Sequence, residues 1–142
     1  MMTALRFPAL LLLLLPIHQA ALGETAAAPA IQVSVALAET LQAQARPDDT
    51  LFVYARAPTG PRMPLAIVRL KAADLPATVI LDDSSAMMPN MRLSAFEEVV
   101  VMARISRSGD AMTRSGDLLG STTPLRVRDT AAVTVRIEEQ VP

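Results

Sequence analysis

The chain has 142 residues, with 13 Lys and Arg against 14 Asp and Glu and a formal net charge of -1. The two signs are interleaved along the sequence, which argues against nucleic acid and against an anionic membrane surface as partners. There is no cysteine, and the single histidine is His18, so thiol redox chemistry, covalent haem attachment, zinc sites and histidine-based triads are excluded beyond the N-terminal segment.

That segment reads as a leader. Arg6 supplies a positive n-region, "FPALLLLLLPI" an apolar h-region, and "ALG" before Glu24 a small-residue cleavage site. The pattern predicts a signal peptide over residues 1–23 and an exported, periplasmic product. The apolar run is short for a membrane crossing, so no stable span is expected after cleavage. No cysteine follows it to carry a lipid, and there is no twin-arginine pair. Cleavage leaves about 119 residues, near the commonest size of a single domain and enough for a core without disulfides. Residues 24–30, "ETAAAPA", read as a flexible tether, and residues 31–142 as one domain.

From Ile31 the text alternates. In "IQVSVAL", Ile31, Val33, Val35 and Leu37 share one face and Gln32, Ser34 and Ala36 the other, the period of a half-buried strand. "ETLQAQARPDD" predicts a helical turn broken at Pro47. "TLFVYARA" is a second strand, closed by the turn "PTGP". "PLAIVRLK" is a third, its leading Pro64 suiting a strand start or an edge. "ATVILDD" is a fourth, introduced by Leu75-Pro76. A loop, "SSAMMPNMRLS", follows. Its end, Ser94-Ala95-Phe96-Glu97, has the form of a capping box. The β-branched run behind it implies one tight turn that launches a strand. That strand, "EEVVVMARISRSGD", is the longest signal and closes at Ser108-Gly109-Asp110. "AMTRSGDLLGSTTP" reads as a polar connection, and "LRVR" and "AVTVRIEE" as the last two strands.

Strands separated by turn signals, with no long amphipathic helix, predict an all-β fold. The expected form is an antiparallel immunoglobulin-like β-sandwich of about seven strands, with a small β-barrel as the alternative. Val33, Val35, Val53, Ile67, Val79, Val100 and Val135 are expected to face inward.

No catalytic constellation stands out. Asp48-Asp49, Asp82-Asp83 and Glu97-Glu98 are sequential pairs, and strand neighbours point to opposite faces, whereas acid–base work needs two carboxyls facing one space. Asp82-Asp83-Ser84-Ser85 reads better as a strand end entering an Asx-type turn. No loop shows calcium-site spacing, and there is no phosphate or dinucleotide motif. The methionines beyond the leader are Met63, Met87, Met88, Met91, Met102 and Met112. Met102 interrupts a valine run and reads as core filler. Met87, Met88 and Met91 cluster around Pro89-Asn90, and three readings stay open. They close one end of the sandwich, each buried side chain contributing about 1.5–3 kcal/mol. They form an adaptable apolar surface for a partner chain. Or, with Met63, they bind Cu(I) through thioethers, which needs no histidine.

The stretches "LFVYARAPTGPRMPLAIVRL", "DLPATVILDDSSAMMPNMRLS", "VVVMARISRSGDA" and "SGDLLG", in this order, resemble the immunoglobulin-like C-terminal domain of the cytochrome c-type biogenesis protein H/I (CycH/CcmI) family. The resemblance runs from about Ile31 to Val141. In that family the domain is periplasmic and follows a membrane anchor and a tetratricopeptide-repeat region, in a protein that helps present apocytochrome c to the haem ligation machinery. No repeat helices are evident in this chain, so the grip of the repeats on apocytochrome does not carry over. What the resemblance implies is a non-enzymatic accessory module without a cofactor, whose partners are cytochrome c maturation components or apocytochrome. The family features that carry over are the segment Met87 to Met91 and the turn Arg62-Met63-Pro64. Both fall on loops, where binding residues concentrate, so Arg62, Met63, Met87, Met88, Pro89 and Met91 are the expected partner-binding residues. A Cu(I)-binding carrier using Met63, Met87, Met88 and Met91 is the alternative function.

Overall fold

The structure, a computed structural model, describes residues 28–142; the expected signal peptide and most of the tether lie outside them. Nine strands follow in chain order: β1 (Ile31–Leu37), β2 (Thr50–Arg56), β3 (Pro64–Lys71), β4 (Ala77–Leu81), β5 (Glu98–Ser106), β6 (Leu118–Ser121), β7 (Leu125–Arg126), β8 (Ala132–Ile137) and β9 (Glu139–Gln140). In β1 the pleat sends alternate side chains to opposite faces. Ile31, Val33 and Val35 are buried while Gln32 meets solvent. β1 pairs with β4 on one side and β8 on the other, giving a three-stranded sheet of order β4-β1-β8. The second sheet runs β3-β2-β5-β6-β9, with the short β7 also on β5.

The two sheets enclose one core. Leu51, Val53 and Ala55 of β2 and Val99, Val101, Ala103 and Ile105 of β5 meet Ile31, Val33, Val35, Leu81, Val135 and Ile137 of the smaller sheet. Each fully buried aliphatic side chain of this kind contributes about 1.5–3 kcal/mol, which is how the fold holds without disulfides. The fold is therefore an all-β immunoglobulin-like sandwich and not a closed barrel. Among the described residues, no helix is long and apolar enough to cross a membrane.

Several expectations are corrected. The β1–β8 ladder is parallel, with Val33 opposite Val133 and Val35 opposite Val135, so the sandwich is not antiparallel throughout. β6 lies within the stretch expected to be a polar connection, yet it pairs Leu118 with Ile105 and Gly120 with Ala103. The helical turn exists as a 3-10 helix over Glu39–Gln44 that buries Leu41. Five of the seven expected inward residues are buried, but Ile67 and Val100 are only half-buried. Ile67 pairs with Tyr54 and Val100 with Arg56, on the outward-pointing set of the large sheet. In Val99-Val100-Val101 every position is apolar, and a slip of one residue exchanges the faces. Met102 is no core filler either. It is buried on the outward set, opposite Tyr54.

Candidate functional site

The outer face of the large sheet forms a groove of ≈ 550 Å³. Its floor is Phe52 and Tyr54 of β2, Ile67 of β3, Met102 of β5 and Leu119 of β6. Arg56, Arg62, Pro64, Met87 and Met112 also line it. The floor is apolar because each of these strands carries large side chains on its outward set as well as its inward one.

Three loops shape the groove. The β2–β3 loop turns at Gly60, whose φ of 93° lies in the region where only glycine is unstrained. The turn leads into Arg62 and Met63, both exposed. Just beyond, Arg56 pairs with Pro64 but Ala55 with Ala66. Leu65 is the extra, fully buried residue of a bulge, which bends β3 where it enters the groove wall.

The β4–β5 loop is pinned at both ends. Asp82 accepts a hydrogen bond from the Ser84 amide at 2.9 Å, the expected Asx turn. Asp83 accepts from the Ser94 amide at 3.0 Å and the Ser94 hydroxyl at 2.5 Å, joining residues eleven positions apart. Ser94 thus serves Asp83, and the expected capping box with Glu97 is not formed; Leu93–Ala95 is a short 3-10 turn. Burial pushes the Asp83 carboxyl up, but the two hydrogen bonds from Ser94 and the nearby Arg92 charge outweigh it and hold it below the usual value. Between the pins, the Met91 amide donates to the Met88 carbonyl at 3.2 Å, closing a turn with Pro89 and Asn90 in the middle. Pro89 fixes its own φ, and no described residue other than glycine has positive φ, which excludes a type II turn.

This turn divides the methionines. Met87 is 59% exposed and lines the groove. Met88 and Pro89 are exposed on the same loop. Met91 packs against the core. Of the six residues expected to bind a partner, Arg62 and Met87 meet in the groove. Met63, Met88 and Pro89 stand on the loops that form it, and Met91 is turned inward.

The β5–β6 loop supplies Met112, 73% exposed, and is organised by a residue that sequence reasoning missed. Arg104 is almost fully buried and pairs with the equally buried Asp117 at 2.8 Å. It also donates to the carbonyls of Asp110, Ala111 and Met112, and its guanidinium lies 4.9 Å from the centre of the Phe52 ring. The signal was an arginine inside the strongest strand, with an aspartate thirteen residues on. Asp110 is held below the usual carboxylate value, first by the Met112 amide and then by Arg114.

Charge in the groove is one-sided. No acidic residue lines it. Arg104 is neutralised by Asp117, whereas Arg56 and Arg62 make no ion pair among the described residues. Arg56 Nε is buried without a hydrogen-bond partner, a state that costs about 1–3 kcal/mol. The carboxylate pairs take local roles. Asp49 accepts from the Arg46 amide at 2.8 Å, and Asp82 and Asp83 hold the loop ends. Among the described residues, no three His, Cys, Asp or Glu side chains are grouped to hold a metal ion.

The fold and its loops thus define an immunoglobulin-like domain with a loop-built apolar groove. Residues 31–138 match the family model described as the cytochrome c-type biogenesis protein H Ig-like domain, and the chain belongs to this family. It is 42% identical over 124 residues to the cytochrome c-type biogenesis protein CycH of Pseudomonas aeruginosa PAO1, a match that covers 82% of this chain and 30% of that relative. The chain therefore spans less than a third of the length of this curated relative. No solved structure matches the chain.

Proposed function

We propose that this chain is a non-enzymatic accessory module of cytochrome c maturation that acts in the periplasm by binding a protein partner at the groove. The observation that carries this reading is the meeting of Arg62 and Met87, from two separate loops, on one apolar groove. Unbranched, polarizable methionine side chains repack against different apolar surfaces, which suits a module that handles unfolded or variable clients. Membership of the biogenesis protein H family and the name of the relative point to maturation components or apocytochrome as those clients. Export follows from the leader, with Glu24 as the mature N-terminus; intact mass of the exported protein checks it.

The direct test is capture of purified apocytochrome c and of purified maturation components by the immobilised full chain, wild type against Met87→Ser. The reading expects capture by the wild type and several-fold weaker capture by a variant whose melting temperature is unchanged. Equal capture by both proteins contradicts it. Carriage of Cu(I) is the competing reading and requires the sulfurs of Met63, Met87, Met88 and Met91 to converge on one ion. Met91 packs on the core while Met87 faces the groove, which favours the partner surface. Titration with Cu(I) under reducing conditions is expected to show no stoichiometric uptake.

A further inference from the structure

We propose that the groove selects a protein segment that is apolar on one side and carries carboxylates on the other, the carboxylates meeting Arg56 and Arg62. The inference rests on the partner-binding reading above and deepens it by specifying the chemistry of the partner. The whole chain is slightly acidic, at -1, yet the groove lining contains three arginines and no acid. One of the three is already committed: Arg104 is bound by Asp117 and by loop carbonyls. The other two are not. Arg56 projects from the outward set of β2 and Arg62 stands exposed on the adjoining loop, and neither makes an ion pair among the described residues.

A guanidinium presents parallel N–H donors that match the two oxygens of a carboxylate. A bound carboxylate would give Arg56 and Arg62 the counter-charge that no described residue supplies, which an uncharged segment with only apolar side chains cannot do. A basic segment would meet like charge. The apolar floor around Tyr54 and Met102 and the unbranched Met87 and Met112 on the rim fit large aliphatic or aromatic side chains on the other side of the segment. Affinity then comes from the floor and selection from the arginine edge.

The probe is a fluorescein-labelled amphipathic peptide with Leu and Phe on one face and Glu on the other. Its Glu→Gln and Glu→Lys versions serve as comparisons, and binding to the full chain is read by anisotropy. The Glu peptide is expected to bind about tenfold more tightly than the Gln peptide. Arg56→Met combined with Arg62→Gln should abolish that preference, so that the Glu and Gln peptides bind alike. Arg62→Gln alone, at an exposed position, keeps the fold and should reduce the preference about threefold. Equal binding of the Glu and Gln peptides overturns the proposal, as does preference for the Lys peptide, survival of the preference in the double variant, or binding of none. Equal binding that is still weakened by Met87→Ser removes the acidic selection and leaves partner binding standing. Failure of apocytochrome and maturation components to be captured at all removes the reading beneath it.

Discussion

Met87 and Met91 lie four positions apart on one loop and should respond oppositely to the same change. Met87 is mostly in solvent, so Met87→Ser should alter stability by no more than about 0.5 kcal/mol. Met91 packs on the core, and Met91→Ser should cost about 1–2 kcal/mol through lost burial. Urea unfolding of the two variants checks both. The sequence showed that a Pro-Asn pair keeps these methionines out of a strand, but which sulfur points inward depends on how the loop ends are pinned. Arg104 and Asp117 form a second residue-scale test. Removing one partner leaves the other charged and buried, so Asp117→Asn should cost about 3–5 kcal/mol. Arg104→Met with Asp117→Leu should cost much less than the sum of the single changes. The role of Arg104 was hidden because nothing local links it to Asp117; only the pairing of β5 with β6 brings them together.

At the scale of elements, the Asp83–Ser94 clasp makes the methionine loop sensitive to acid. Folding lowers the Asp83 pKa from its ordinary 3.8, so between the two values the unfolded chain binds more protons than the folded one. The clasp's contribution is complete above the unfolded value and is lost as pH falls through the lower, folded value. Asp83→Asn should therefore remove about 1 kcal/mol near neutral pH and flatten the loss of stability as pH falls below about 5. Urea titrations from neutral pH into acid read both effects. β6 carries a different constraint. A Cβ on Gly120 would overlap the Arg136 carbonyl oxygen, which is backbone and cannot swing away. Gly120→Ala should cost about 1–3 kcal/mol by overpacking, measured by thermal unfolding. The same glycine, between Asp117 and Ser121, is what made β6 read as a loop. An isolated strand glycine marks a close backbone approach, and here β8 is the backbone that approaches.

For the whole molecule, apolar runs between turn signals placed β2 to β5, and alternation placed β1 and β8, because a strand with one solvated face writes its period into the sequence. It could not fix Val100 or Ile67, where both faces of the large sheet are apolar. Those double-faced strands are the source of the groove. The loops bearing Arg62 and Met87 were legible as candidates. The floor between them was not, since it joins outward residues of four strands whose register only the folded sheet sets. The parallel β1–β8 ladder was likewise invisible, being a pairing between the first and one of the last strands.

The central claim is that a protein partner sits on this outer face, and affinity measured on both faces of the sandwich tests it most directly. The dissociation constant of the full chain for purified apocytochrome c, or for the maturation component it captures, is compared among wild type, Met87→Ser and Ile80→Ser. Ile80 is an equally exposed apolar residue, 56% exposed, on β4 of the opposite sheet. The account predicts an affinity about tenfold weaker for Met87→Ser, the loss of one desolvated contact, and no change for Ile80→Ser. Unchanged affinity in Met87→Ser, or a loss confined to Ile80→Ser, would contradict it.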